Sequence, residues 1–419
     1  SGREHGVSRN GPMIGTSRGR MNMNEADPHR SEKTGIGTGS VVIKSREACG
    51  RKAIWEMRKI TSRTGMVVAV LTAICLLVLM GCGQGCNKSD NLSDSRIKVG
   101  ALIALTGYGA SFGQNEAKVV ELLRDRYPNA TFVVEDNKSD PRQAISAAKK
   151  LLDVDSVDII YCDLTTVANA IVPMTKDAGV ILVAAVYLTD LLDRNPLAIR
   201  NLPRGKDEAH LLLEHFSSTI VPGETPSVIL LGSNDEFGRG SISDCLTVVK
   251  DFSLDVIGTE TIPDDAPAID SFAAVLASKK PSAIYMASLS PTLGTLIQKL
   301  RLAGYQGAIL TTDAFAYSYI RDAAGEQAKG TIYVDFPETE ESRDMSKTFY
   351  DRFNMDLNPT GVLLHDGISL ILDTLYETNP QSLATLVDSL EGIEYAGTYG
   401  LITVRNRELL YPLVIKTAE

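Results

Sequence analysis

From residue 97 to the C-terminus, short apolar runs alternate with stretches of helical period, and this alternation limits the fold more than any other feature. Residues 97–104 read as a buried strand, 114–127 as an amphipathic helix and 131–135 as a second strand. Residues 136–141 form a turn with helix-start chemistry, and a helix follows to about 152. Strand 157–161, helix 166–178 and strand 180–185 complete a first set. A second set alternates in the same way: 206–219 helix, 227–231 strand, 239–251 helix, 255–261 strand, 269–278 helix, 283–286 strand, 292–302 helix, 308–311 and 331–334 strands. Strands separated by helices imply parallel sheets with helices on both faces. The two sets meet near 199–203. The last part departs from this rhythm, with long helices at 343–353 and 360–376, then strand-like runs at 400–404 and 411–415.

At 419 residues the chain is long enough for two or three domains. Its net charge of -10 is unevenly spread. Residues 1–65 carry 13 Lys/Arg against 6 Asp/Glu, which leaves 29 basic and 46 acidic residues in the remainder. So acidic a body, without a basic stripe, argues against nucleic-acid binding. The six cysteines form no CxxC pair, so no zinc knuckle or redox motif is indicated, and no metal or cofactor is expected. Cys162 and Cys245 read as free, buried thiols. Catalytic patterns are absent: there is no HExxH and no phosphate-binding loop. His210 and His215 lie roughly 140° apart around one helix, and His365-Asp366 sits within another. The chain is therefore expected not to be an enzyme, and no catalytic residue is assigned.

Residues 66–80 carry no charge. A membrane-spanning helix needs about 20 such residues. Arg58, Lys59 and Arg63 precede the run and small residues follow it, which is the layout of a signal peptide. Leu79-Met80-Gly81-Cys82 resembles a bacterial lipobox, which makes Cys82 the expected lipidation site; a short uncleaved anchor or a buried core helix is the alternative. The expected organisation is a disordered or upstream segment at 1–56, a signal peptide at 57–81 opening on Met57, and a polar tether at 82–96.

Several segments of the body are similar to one known family. Residues 97–107, from Ile97 to Gly107, resemble the opening strand and loop of branched-chain amino-acid binding proteins, and Ser111-Phe112-Gly113-Gln114 resembles the aromatic-Gly-Gln of that loop. Asp136 to Ala144, with its Asp140-Pro141, resembles the family's acidic turn. Asn234-Asp235-Glu236-Phe237-Gly238-Arg239-Gly240 resembles its second-lobe segment, and Gly400 to Val404 its late strand. The resemblance implies a type I periplasmic binding protein fold, α/β, with two doubly wound lobes and three hinge crossings near Asn201, Phe336 and Gly400. Lobe I would be 97–201 plus 336–400, and lobe II 202–335 plus 401–419. It further implies an extracytoplasmic, monomeric lipoprotein that delivers a small-molecule ligand to an ABC transporter permease, with a sensor, scaffold or enzyme on the same fold as alternatives.

In open α/β sheets, ligands bind beyond the C-terminal strand ends. The candidate loops are therefore 105–113, 162–166, 186–190, 232–238, 287–291 and 312–316. Thr165 and Thr166 open a helix, where they suit either a helix cap or a carboxylate seat. In the resemblance they match the hydroxyl residues that hold the ligand's α-carboxylate. Asp313 matches the acidic position that meets the ligand ammonium; a solvated loop aspartate is the other reading. Tyr108, Ser111, Phe112 and Phe237 fall on or beside loop positions that line the cleft. Two departures count against a branched-chain ligand: Tyr187-Leu188 stands where small or hydroxylated residues are usual, and Leu289 where an aromatic is common.

Overall fold

The computed structural model describes Leu92 and residues 96–419, except Thr189 and Pro222. The expectations for 1–56, for the apolar segment 57–81, for Cys82 and for most of the tether fall outside those residues.

The first set of elements is β1 (Lys98–Ile103), α1 (Ala110–Arg126), β2 (Thr131–Asp136), α2 (Pro141–Lys150), β3 (Ile159–Cys162), α3 (Thr165–Ala178), β4 (Ile181–Ala184), a short α4 (Leu191–Arg194) and β5 (Ala198–Arg200). The second is α5 (Gly205–Ser218), β6 (Ser227–Gly232), α6 (Glu236–Val248), β7 (Asp255–Thr261), α7 (Ala266–Lys279), β8 (Ala283–Ala287), α8 (Thr292–Leu302), β9 (Ala308–Thr311), α9 (Ser318–Ala324) and β10 (Thr331–Asp335). The C-terminal part adds α10 (Glu340–Phe353), α11 (Pro359–Thr378), α12 (Leu383–Ser389), β11 (Glu394–Gly397), β12 (Gly400–Arg405), β13 (Glu408–Leu410) and β14 (Val414–Thr417).

Local chemistry sets several of these boundaries. Asp140 caps α2 by accepting from the Arg142 and Gln143 N–H groups, with Pro141 at the first helical position. Asn358 and Pro359 start α11 in the same way. Strands β3, β4 and β8 are buried along their whole length, because helices cover both faces of their sheets.

The strands form two sheets. One runs β11-β12-β13-β5-β4-β3-β1-β2 and the other β14-β10-β9-β8-β6-β7. Strands β1 to β5 are parallel, as are β6 to β10. Each sheet reverses its strand order once, between β1 and β3 in the first and between β6 and β8 in the second. Those two reversals are the switch points at which an open α/β sheet leaves a crevice.

The chain passes between sheets after β5 and after β10, as expected, but the third passage is displaced. Residues 400–410 belong to the first sheet, not to the second lobe from 401 onward. Asn406 and Arg407 both have positive φ, which folds β12 back onto β13 in a tight hairpin. Glu408 then pairs with Arg200 of β5, and their side chains form an ion pair at 3.3 Å. The crossing thus lies at 411–413, ahead of β14. The three passages are tied together. The Tyr411 hydroxyl donates to Asn201 Oδ1 at 2.6 Å, and Asn201 Nδ2 donates to the Leu363 carbonyl at 2.7 Å. Phe336 stacks on Tyr399 with ring centres 4.4 Å apart and meets the Tyr411 ring edge-on.

Candidate functional site

Between the tips of the two sheets lies a cavity of about 520 Å³, within the range of roughly 300–1,000 Å³ common for ligand pockets. All nine sequence-predicted site residues line it: Tyr108, Ser111, Phe112, Thr165, Thr166, Tyr187, Phe237, Leu289 and Asp313. They arrive from the loops and first helical turns after β1, β3, β4, β6, β8 and β9, three strands of each sheet.

Two glycines explain how aromatic side chains come to sit at these tips. A Cβ on Gly113 would lie 2.2 Å from the Ala104 carbonyl oxygen, and one on Gly238 would lie 2.3 Å from Ser233 backbone atoms. Only glycine lets α1 and α6 back directly onto the ends of β1 and β6. In both lobes the residue before it is a buried phenylalanine, Phe112 or Phe237. Phe112 meets Tyr317 of the other lobe edge-on at 5.0 Å, and Phe237 meets Tyr187 at 4.4 Å. With Tyr108 and Tyr319, these make six aromatic residues around the cavity.

At the β3 tip, the N-terminus of α3 has no side-chain cap. Its first-turn N–H groups have no acceptor within the helix. Thr165 is therefore not the cap; its Oγ1 accepts from the Tyr187 N–H at 3.2 Å and so braces the loop after β4. The Thr166 hydroxyl lies 3.4 Å from that of Tyr108, which is 70% exposed at the cavity mouth. Ser111 is exposed beside it, and its carbonyl accepts from Asn358. Leu289 offers its carbonyl to the Tyr319 hydroxyl at 2.8 Å.

Asp313 is not a solvated loop residue: it is 6% exposed. It belongs to an acidic group on the second-lobe wall. The Tyr187 hydroxyl donates to Asp313 at 3.2 Å and also to Glu208 of α5, while Glu208 accepts from the Asp313 N–H at 2.9 Å. Burial pushes the Asp313 carboxyl up to about 6, against the pull of the Tyr187 hydroxyl. Burial, reinforced by the charge of Asp313, raises Glu208 well above the carboxylate range. Tyr187 lines the cavity, and its hydroxyl reaches across to the second lobe. Leu188 does not line the cavity; it packs on the first-lobe core.

A second acidic pair, missed by sequence reasoning, stands on the first-lobe wall. Asp163 lines the cavity and Glu116 of α1 is buried behind it. Burial raises both carboxyls, Asp163 to about 6. Glu116 accepts from the Tyr161 hydroxyl at 3.0 Å, and Asn137 Nδ2 donates to Asp163 at 3.4 Å. Asn169 of α3 crosses the cleft to donate to Glu236 of α6 at 3.1 Å. Among the described residues, no histidine or cysteine lines the cavity. His365 pairs with Asp366, which accepts from the Thr398 N–H and hydroxyl, a structural tie between α11 and the loop after β11. Cys162 and Cys245 are free and buried, as expected.

Residues 96–408 match the sequence model of a family described as periplasmic binding protein. The chain belongs to that family. Comparison with curated protein sequences gave no match. Among solved structures, this periplasmic binding protein is similar to a solute binding protein of an ABC transporter from Rhodopseudomonas palustris BisB5 in complex with 3,4-dihydroxy benzoic acid. The two share 16% identity at a TM-score of 0.69, over 77% of this chain and 93% of that one. It is also similar to the branched-chain amino acid transporter substrate binding protein LivJ from Streptococcus pneumoniae in complex with isoleucine, with 16% identity, a TM-score of 0.67 and coverage of 77% and 96%. An extracellular ligand-binding receptor from Rhodopseudomonas palustris HaA2 matches at 20% identity and a TM-score of 0.67, over 77% of this chain and 97% of that one. Its fold is the type I periplasmic binding protein fold.

Proposed function

We propose that this chain is an extracytoplasmic, lipid-anchored solute-binding protein that closes its two lobes around one small polar solute and presents it to the permease of an ABC importer. The observation that carries this reading is the cavity at the facing switch points, with Thr165 on one wall and Asp313 on the other. The uncapped α3 N-terminus suits a carboxylate, and Asp313 suits an amine. Relatives with the same fold hold isoleucine or a dihydroxybenzoate, which supports a small solute of this size. A ligand shifts the balance of open and closed forms only by binding the closed form better, and contacts from both lobes supply that difference. The open cavity favours a working binder over a scaffold whose cleft is filled.

The test is a thermal-shift screen of the purified full chain against amino acids, amides and organic acids, with X-ray scattering of any hit. A solute that raises the melting temperature and reduces the radius of gyration is expected. A flat screen with unchanged scattering contradicts the reading. The anchor is tested separately: Cys82→Ser is expected to release the protein from membranes, and continued attachment contradicts lipidation at Cys82.

A further inference from the structure

The charge of the solute follows from the cavity wall, given the reading of the cleft as a solute site. Four carboxyl side chains line it: Asp163, Asp235, Glu236 and Asp313. Glu116 and Glu208 stand directly behind, both fully buried. Among the described residues, no lysine, arginine or histidine lines the cavity.

The acids are not all used by the fold. Asp235 is occupied, capping α6 through the Gly238 N–H and accepting from the Ser233 hydroxyl. Asp163 is only 8% exposed, and its carboxyl hydrogen-bonds that of Glu116, so the two share a proton and this wall keeps one negative charge. Oε2 of Glu236 is buried and unpartnered, although its other oxygen holds Asn169. Burying a charged carboxyl oxygen with neither donor nor cation is costly, and that cost at Glu236 is met by a cation in the cavity. The six aromatic side chains around the cavity add ring faces, which attract cations.

We infer that the cleft takes a small organic cation, a solute whose ammonium or guanidinium groups outnumber its carboxylates, such as a basic amino acid or an aliphatic diamine. Asp163 belongs to the first lobe and Asp313 to the second, so a cation between them gains a partner on each wall only when the lobes meet. Affinity and closure then draw on the same charges. The raised carboxyls of Asp163 and Asp313 agree with this, since each lacks the countercharge that the ligand brings.

Isothermal titration of the purified full chain with lysine, arginine, putrescine, cadaverine, isoleucine and benzoate tests the inference. At least one of the four cations is expected to bind about 100-fold or more tightly than isoleucine and benzoate. Lysine or arginine binding with the diamines silent would show that the α3 N-terminus also seats a carboxylate; diamine binding would show that the acidic walls suffice. Asp163→Asn and Glu236→Gln are each expected to weaken the cation about tenfold or more, with the second variant decisive if the first does not fold. Isoleucine or benzoate binding more tightly than every cation overturns the charge inference while upholding the solute-binding reading. Parent-like cation affinity in both variants also overturns it. Silence from all six solutes, with a flat wider screen, takes down both.

Discussion

At the scale of single residues, the site is built from side chains with two tasks each. Thr165 is the clearest case, because its hydroxyl both faces the cavity and braces the Tyr187 N–H. Thr165→Ala is expected to weaken a carboxylate-bearing solute by about 1–2 kcal/mol, with Thr165→Ser restoring most of the loss in titration calorimetry. Equal affinity in all three proteins would remove Thr165 from the site. The buried acids make a second prediction. In the folded, ligand-free protein, Asp163 beside Glu116 and Asp313 beside Glu208 hold protons more tightly than they do unfolded. The protonated forms of Asp163 and Asp313 therefore lend stability that is full below the ordinary carboxylate range and is lost as pH rises through about 6. Asp313→Asn is expected to narrow the gap in melting temperature between pH 5 and pH 8. An unchanged gap would contradict the raised carboxyl. Asp313 itself was legible as a strand-tip residue. Its partner Glu208 was not, because a glutamate inside a helical stretch reads as part of a solvated face until the packing is known. Glu116 was hidden for the same reason, and Asp163 was passed over beside the two threonines that followed it.

At the scale of elements, the strand and helix order was readable because fully buried parallel strands appear as unbroken apolar runs. Knowing where the runs end locates the six candidate loops, while the choice of nine residues in and beside them rested on the resemblance to branched-chain amino-acid binding proteins. The shorter pieces were harder to see. Strand β5, with three residues, and α9 and α12, with seven each, are too brief to display a period. The displaced boundary has a specific cause: Asn406-Arg407 is the turn of a hairpin, and missing it sent β12 to the wrong sheet. The aromatic-glycine pairs act at this scale as well. Gly113→Ala would force α1 away from the β1 tip, since the new Cβ meets a backbone oxygen at 2.2 Å. A loss of about 1–3 kcal/mol in denaturant melts is expected, and a parent-like midpoint would contradict the close approach.

Across the whole molecule, the two sheets are joined by three passages that converge on Asn201, Phe336 and Tyr411. The proposed closure would turn the two sheets about this pivot. The strand tips then become the surfaces that approach one another. Contacts already cross the gap: Tyr187 to Glu208 and Asp313, Phe112 to Tyr317, and Asn169 to Glu236. The most direct test of the account is a crystal structure of the protein with the solute that stabilises it. The solute is expected in the space between the sheets, within hydrogen-bonding distance of Thr165 or the α3 N-terminus on one side and of Asp313 on the other. A solute held by one lobe alone, or seated outside that space, would contradict it.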